Sequence, residues 1–182
     1  WRGYLKAYQR DSTGNVPVDA NGVPLGSALV WEAGLQLAGK SAASRAIYTL
    51  VSGSRVDFKT TTASITAAML GVSTSTDRDK VINFIRGIDT VDENANANTT
   101  EEREWKLGDI FHSSPVLVTP PISPSSDASY IAFRDAQKNR TTILLTAAND
   151  GMLHAFQESD GTELWGFIPP DQLSRLKLLT QL

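Results

Sequence analysis

Oxygen-bearing side chains alternate in the segment 11–19, a pattern that could bind calcium. The candidate ligands are Asp11, Asn15 and Asp19. Calcium takes about six to eight oxygen ligands, and an EF-hand loop places a glycine and a bidentate glutamate at fixed positions. Val16 stands where the glycine is needed, and Gly22 where the glutamate is needed. We therefore interpret the segment as a polar turn and retain these residues only as weak metal candidates.

Hydrolytic chemistry would need a nucleophile next to a base. His112 and Ser113 are adjacent, but neighbours on a strand point to opposite faces, so His112 is poorly placed to activate Ser113. The other histidine, His154, would have to arrive through folding. Asp109 and Asp150 lie beside glycines and fit turns better than a catalytic pair. We predict that the chain is not an enzyme and holds no cofactor.

Composition excludes several classes of function. The 182 residues carry a net charge of −3, which disfavours nucleic-acid binding. No cysteine is present, so disulfide scaffolds and cysteine-based metal or redox sites are impossible. No apolar run approaches the length of a membrane span. Hydrophobic residues make up 41% of the chain, as in an ordinary globular protein.

A hairpin near the C-terminus organises the chain. The turn formers Asn149 to Gly151 precede a period-two run from Leu153, and Ser159 to Gly161 forms a second turn before an apolar run with Trp165. The N-terminal segment repeats this order. Gly, Leu, Ala, an aromatic residue and Gln occur at the same spacing in 3–9 and 151–157, and each copy is followed by a turn glycine and a tryptophan, Gly14 with Trp31 and Gly161 with Trp165. Two similar hairpins predict repeated blades.

Other elements connect these hairpins. Strands are predicted from Trp1 to Gln9, from Ala28 to Trp31, in a hairpin spanning 45–58, from Val116 to Thr119, and through Thr142 to Ala147, the last buried on both faces. Helices are predicted over Thr62 to Leu70, over Arg78 to Arg86 with Thr76 or Asp77 as its cap, over Ala128 to Lys138 with Asp127 near its N-cap, and from Pro170 to about Leu179. The acidic, Asn-rich segment 89–104 is predicted to be a solvated loop.

The hairpin is similar to the docking motif of quinoprotein-type β-propellers. There a small residue, here Ala155, opens the motif, a turn carries a glycine, and a tryptophan locks one blade to the next. Gln157 and Asp160 depart from that pattern. Several further blocks, foremost Trp105 to Pro115 and Asn149 to Pro169, resemble the opening part of the C-terminal β-propeller of PilY/PilC proteins, which are type IV pilus tip-associated adhesins and assembly factors.

The resemblance implies an exported protein at the cell surface and pilus tip, associated with the outer membrane. It implies minor pilins and a host-surface receptor as partners, and roles in pilus biogenesis, adhesion and twitching motility. The family's calcium loop is expected downstream, so no calcium site is assigned to this segment. The family's Arg-Gly-Asp tripeptide is interrupted here by Ile88, which puts integrin binding through Arg86 to Asp89 in doubt. A fragment of a pyrroloquinoline-quinone-dependent dehydrogenase and an outer-membrane assembly scaffold are the alternatives.

We therefore predict a mainly β fold, a partial β-propeller with helical insertions. Residues 1–182 would form one fragment of a single propeller domain, with blade-like hairpins near 1–58 and 105–168 and helical insertions near 62–86 and 128–138. Gly3, Trp31, Ala155, Gly161 and Trp165 are the predicted blade-docking residues.

Overall fold

Strands dominate the architecture of this protein. The structure is a computed structural model that describes residues 2–181. Within these residues, eight strands lie in two sheets, one of two strands and one of six. The predicted mainly β class is confirmed, although residues 2–181 form no closed ring of blades.

The helices and strands are as follows. The strands are β1 (Lys6–Tyr8), β2 (Leu29–Glu32), β3 (Ile47–Val51), β4 (Ser54–Asp57), β5 (Val116–Val118), β6 (Ile143–Ala147), β7 (Leu153–Gln157) and β8 (Glu163–Phe167). The α-helices are α1 (Ala33–Ala38), α2 (Ser75–Arg86) and α3 (Ala128–Gln137). Short 3₁₀ helices cover Gly26–Ala28, Ala42–Ser44 and Ala68–Leu70, and a longer one covers Pro170–Thr180.

The six-stranded sheet has the order β4-β3-β8-β7-β6-β5. Its last four strands, β5 to β8, follow one another in the chain and pair antiparallel. A consecutive four-stranded meander of this kind is the unit from which propeller blades are built. The β3–β4 hairpin joins this meander because β3 pairs parallel with β8.

Local chemistry explains the tight β3–β4 hairpin. Val51 pairs with Ser54, which leaves a two-residue loop. Both loop residues are left-handed, Ser52 with φ 50° and Gly53 with φ 79°. That combination is required by a type I′ turn, whose twist matches the flanking strands.

Helix α2 begins earlier than predicted. Its N-cap is Thr74, not Thr76 or Asp77, and it starts at Ser75. The Thr74 hydroxyl oxygen accepts a hydrogen bond from the Asp77 amide at 3.0 Å and donates one to the Asp77 carboxylate at 2.7 Å. This reciprocal capping satisfies an otherwise unpaired amide, so the helix gains a turn. It ends, as predicted, at Gly87.

The predicted α-helix from Thr62 to Leu70 is wrong. Only Ala68–Leu70 is helical there, as one 3₁₀ turn. Threonine side chains compete for the backbone groups that a helix would use, since the Thr62 hydroxyl donates to Asp57 O and the Thr66 hydroxyl accepts from the Met69 amide. The predicted helix after Pro169 is also 3₁₀ in type over Pro170–Thr180.

Two predicted strands differ from the structure. The first covers only Lys6–Tyr8 instead of 1–9, and Trp1 lies outside the described residues. Strand β6 is not buried on both faces, because Thr146 alone is buried and the other residues are half-buried or exposed. Helix α3, which follows β5 in the chain, has no buried residue of its own.

The buried apolar side chains form two clusters. The larger lies among β3, α2 and the C-terminal 3₁₀ helix; its fully buried members include Phe58, Ile82 and Ile168. The smaller one gathers Trp31 and Leu37 around Phe156. Strand β7 thus contributes to the smaller cluster through Phe156, whereas Met152, just before it, belongs to the larger.

Arg86, in the last turn of α2, connects several segments of the chain through buried hydrogen bonds. Its guanidinium donates to the carbonyl oxygens of Phe58, Ala42, Ala43 and Arg45 at 2.5–3.2 Å, and the residue is 6% exposed. Burial first, and then the nearby Arg45 cation, lowers the pKa of Arg86.

Replacing Arg86→Met should destabilise the chain by at least about 3 kcal/mol, because several buried carbonyls lose their donor. Chemical denaturation of both forms measures the difference. Arg175→Met is the matched control, since Arg175 is exposed. An Arg86→Met chain as stable as the control would contradict this role.

Candidate functional site

The tryptophan contact between the two repeat copies is the first candidate site. Trp31, 6% exposed in β2, lies against Gly161 in the turn between β7 and β8. A Cβ on Gly161 would lie 2.6 Å from Cε3 of the indole. The indole Nε1–H donates to Glu158 O at 2.8 Å. The first copy's tryptophan therefore covers the second copy's turn, which differs from the predicted pairing within each copy.

The turn that receives the indole is shaped by its own side chains. Gly161 has φ +72°, a left-handed conformation that favours glycine. The Asp160 carboxylate accepts from the Thr162 amide at 2.9 Å, and the Gly161 amide donates to Gln157 O at 2.9 Å. Asp160, one of the two departures from the quinoprotein pattern, thus has a local role in closing the turn.

The other predicted docking residues lie elsewhere. Gly3 packs against the segment after Trp105, where a Cβ would lie 1.9 Å from Gly108 O. Ala155 is fully buried in β7 and pairs with Trp165, which is half-buried in β8. Only Trp31 and Gly161 of the predicted set therefore form the interlocking contact.

The weak metal candidates organise separate turns. The Asp11 carboxylate accepts from the Thr13 hydroxyl and the Asn15 amide, and the Thr13 hydrogen bond lowers the pKa of Asp11. Asp19 accepts from the amides of Asn21 and Val23 in the next turn. Within residues 2–181, no group of three or more histidine or acidic side chains is arranged to hold a metal ion.

The interrupted Arg-Gly-Asp position faces the interior. Arg86 is held by buried carbonyls, as described above. Asp89 is 2% exposed, and both its carboxylate oxygens accept from the Glu93 amide. A receptor that needs both charged side chains on the surface cannot reach them here.

The adjacent His112 and Ser113 do not form a nucleophile and base. The Ser113 hydroxyl oxygen accepts from the Ala147 amide at 3.0 Å and lies 3.3 Å from the Thr146 hydroxyl. His112 has φ 57°, and its ring lies tilted against that of Phe111 with the centroids 4.0 Å apart. His154, the other histidine, uses both ring nitrogens on carboxylates, so it does not serve Ser113 either.

A buried chain of four charged side chains is the second candidate site. The Arg45 guanidinium makes two hydrogen bonds to the Glu163 carboxylate, at 2.9 and 2.8 Å. Nδ1 of His154 lies 2.9 Å from the same carboxylate, and Nε2 lies 2.9 Å from the Asp150 carboxylate. Positive and negative groups thus alternate from Arg45 to Asp150, and the side chains of Arg45, Glu163 and His154 are 0% exposed.

The backbone holds both ends of this network. Nη1 of Arg45 donates to the carbonyl oxygens of Ile85 and Arg86, at the end of α2. The Asp150 carboxylate accepts from the amides of Gly108 and Met152 at 3.0 and 3.1 Å. The network therefore connects the segment before β3, strands β7 and β8, the end of α2 and the segment that leads into β5.

Opposing charges hold these groups ionised. Burial alone would lower the pKa of His154, but Asp150 and Glu163 outweigh it and raise the pKa to about 9. Burial would raise the pKa of both carboxyls; His154 outweighs this and lowers the pKa of Asp150, while Arg45 and His154 lower that of Glu163. A histidine held doubly protonated cannot act as a general base near neutral pH.

Sequence reasoning missed this network. Asp150 was interpreted as a turn residue, and it does accept the Met152 amide, but its carboxylate is also the partner of His154. The spacing Asp150 to His154 was the one available signal. Arg45 lies 118 positions from Glu163, and nothing local in the sequence indicates that they meet.

No helix within residues 2–181 is long and apolar enough to cross a membrane. The first candidate site is a packing contact between Trp31 and Gly161, and the second is a set of buried ion pairs.

Comparison with known proteins identifies a family. Residues 107–177 match the PilY1 beta-propeller domain. A type IV pilus biogenesis factor PilY1 of Pseudomonas aeruginosa strain UCBPP-PA14 is 30% identical over 200 residues, which cover 99% of this chain and 16% of that protein. The predicted resemblance to the PilY/PilC family is confirmed.

Further relatives carry similar names. PilY1 of P. aeruginosa strain PAK is 39% identical over 53% of this chain and 9% of its own length. A PilY1 homolog of Xylella fastidiosa is 33% identical over 52% of this chain and 8% of its own length. The chain thus spans less than a fifth of the curated relatives it matches. No solved structure matches it significantly.

Gly161→Ala should destabilise the chain more than Gly14→Ala. Both glycines have positive φ, +72° and +85°, so each alanine pays about 1–2 kcal/mol for that conformation. Only the Cβ at 161 meets the Trp31 ring, whereas nothing lies within 4 Å at Gly14. Displacing the indole should add at least about 1 kcal/mol, measured by denaturant unfolding. Equal losses for the two variants would contradict the docking contact.

The free energy of unfolding should fall as the pH rises from about 6.5 to about 9. His154 has a pKa of about 9 in the folded chain and about 6.5 when unfolded, so its stabilisation is complete below about 6.5 and is lost through about 9. Asp150 and Glu163 act oppositely: their lowered pKa values stabilise above about pH 4, and this contribution is lost as the pH falls further.

His154→Asn should remove this alkaline slope and cost about 3–5 kcal/mol at neutral pH, because the buried Asp150 carboxylate loses the cation beside it and Glu163 keeps only Arg45. His112→Asn is the matched control for the only other histidine. Urea unfolding at a series of pH values measures both. An alkaline slope that persists in His154→Asn would show that another group causes it.

Proposed function

We propose, from the relationship of this chain to the PilY1 family, that it is a non-enzymatic structural module of a type IV pilus biogenesis factor. The relatives over which it aligns are named as pilus biogenesis factors. A module of this kind acts by holding a surface in a fixed shape, since rigid strands can present variable loops for recognition.

The Trp31–Gly161 contact is the observation that carries this proposal. It joins residues 130 positions apart in the sequence, one in a strand of the small sheet and one in a hairpin turn of the large sheet, through one flat aromatic surface. Such a contact fixes the relative position of neighbouring strand groups without any reactive side chain. It supports a role in shape and assembly over a role in catalysis.

The finer roles are proposals that extend this one. We infer export to the cell surface, association with the pilus tip and minor pilins, and contributions to surface adhesion and twitching motility. These follow from the family resemblance and from a surface built of loops between rigid strands. The quinoprotein dehydrogenase alternative gains no support from the buried network, because its histidine is held by two carboxylates.

The proposal is tested in the bacterium that encodes this chain. Trp31→Ala and Val30→Ala would each be placed in the complete gene, and pilin sheared from the cell surface would be quantified together with twitching zones. Loss of the docking indole should reduce surface pili and twitching, whereas Val30→Ala, which removes an exposed side chain from the same strand, should behave as the unmodified gene.

Binding in vitro identifies the partner. Immobilised chain should retain minor pilins of the same bacterium, and Trp31→Ala should weaken that retention. Normal piliation after removal of the complete segment would overturn the proposal. So would saturable pyrroloquinoline quinone binding accompanied by dye-linked alcohol oxidation, which would assign the chain to an enzyme.

A further inference from the structure

A cavity beside the end of α2 is bordered by cations and neutral hydrogen-bond donors. This cavity, here the Arg86 cavity, has a volume of about 340 Å³. Its polar residues are Lys59, Thr60, Thr61, Asn83 and Arg86, and none of the described residues that border it is acidic. We propose that the Arg86 cavity binds a small tetrahedral oxyanion, which is free phosphate or sulfate or the terminal phosphate group of a small ester.

Arg86 is a buried cation without an acidic partner. All its hydrogen bonds within residues 2–181 go to neutral backbone carbonyl oxygens. The anions that favour its charged form are Asp57, which is exposed, and Glu163, which already pairs with Arg45. Burial, and then repulsion from Arg45, outweigh these two anions and lower the pKa of Arg86. A bound anion supplies the partner that this cation lacks.

One nitrogen of the Arg86 guanidinium is open to the cavity. Nη1 and Nη2 donate to four backbone carbonyl oxygens, whereas Nε donates to no group among residues 2–181. Every buried side-chain nitrogen or oxygen in that part of the chain has a hydrogen-bond partner. Nε is therefore accessible, and Arg86 borders this cavity. A small ion can reach the Nε–H although the residue as a whole is only 6% exposed.

Lys59 brings a second cation to the cavity. Its Nζ lies 3.3 Å from the Asp57 carboxylate, longer than the roughly 2.7–2.9 Å of a strong charge-assisted hydrogen bond. Both side chains of this pair are about half exposed, at 43% and 51%, so the ion pair is weak and the ammonium group can bind another anion. Two cations thus border one cavity.

The donor set favours a tetrahedral ion over a planar one. The donors come from two segments of the chain, residues 59–61 after β4 and the last turns of α2. The hydroxyls of Thr60 and Thr61 and the amide of Asn83 can each donate besides the two cations. Phosphate and sulfate accept in several directions, whereas a carboxylate offers two oxygens in one plane. This inference goes beyond the proposed structural role and does not depend on it.

Titration of the 182-residue chain with inorganic phosphate tests the site. The Arg86 Nε–H resonance would be followed by NMR at constant ionic strength, so that screening by salt does not change during the titration. Phosphate and sulfate should each shift this resonance saturably, and acetate should bind more weakly. Glycerol 3-phosphate distinguishes the sources: tighter binding than inorganic phosphate assigns an ester as the ligand, and weaker binding assigns the free ion.

Two substitutions should act in opposite directions. Lys59→Gln should weaken phosphate binding about tenfold, because one of the two cations is lost. Asp57→Asn should strengthen it about threefold, because the carboxylate that competes for Lys59 is removed. Lys138→Gln is the matched control, since it removes one exposed positive charge at the end of α3, outside the cavity. Phosphate binding by this control should be unchanged.

Three results would overturn the inference. They are an Arg86 Nε–H resonance that neither phosphate nor sulfate shifts saturably, acetate binding as tight as phosphate binding, and folded Lys59→Gln and Asp57→Asn chains that bind phosphate as the control does. The unmodified chain decides the first two even where a variant fails to fold. Arg86 itself is left unchanged throughout, because its replacement is expected to destabilise the chain.

Discussion

The alternation of buried charges from Arg45 to Asp150 is the constraint on which the rest of this fold depends. An unpaired ion in such a place would be strongly destabilising, so each group requires the next. Arg45 needs Glu163, the carboxylate needs His154, and the imidazole needs Asp150. Strands β7 and β8 and the segment that leads into β3 therefore have one mutual arrangement in which every charge is compensated.

The charge network and the docking tryptophan act on the same strands. His154 stacks on Phe156 with ring centroids 5.5 Å apart, and Phe156 packs in the cluster that contains Trp31. Glu163 begins β8 two residues after Gly161, where the indole lies. The charge network thus fixes the hairpin, and the hairpin presents the turn that Trp31 covers. A rigid surface follows from this coupling without any reactive group.

The two edges of the large sheet differ. β4 carries the charged residues Arg55 and Asp57, which discourage further strand pairing, whereas β5 exposes Val116 and Leu117 at 56% and 53%. Val116 and Leu117 are adjacent and point to opposite faces of the sheet, yet both side chains are exposed. The sheet is therefore protected at one end and apolar at the other.

The sequence by itself determined the local structure. Turn residues and alternation predicted the β3–β4 and β7–β8 hairpins, Gly87 predicted the end of α2, and Asp127 the start of α3, because these signals act within a few residues. Helix propensity alone did not predict where the side-chain hydroxyls of Thr62 and Thr74 would hydrogen-bond to nearby backbone groups.

Only the tertiary structure decided which distant groups meet. Trp31 lies on Gly161 instead of Gly14, Arg45 finds Glu163 across 118 positions, and Arg86 borders one cavity together with Lys59. A sequence pattern predicts on which face of a strand or helix a residue lies, but not which distant residue its side chain will contact. Which distant residues meet depends on how charged groups and apolar surface are buried over the complete chain. No local segment encodes that.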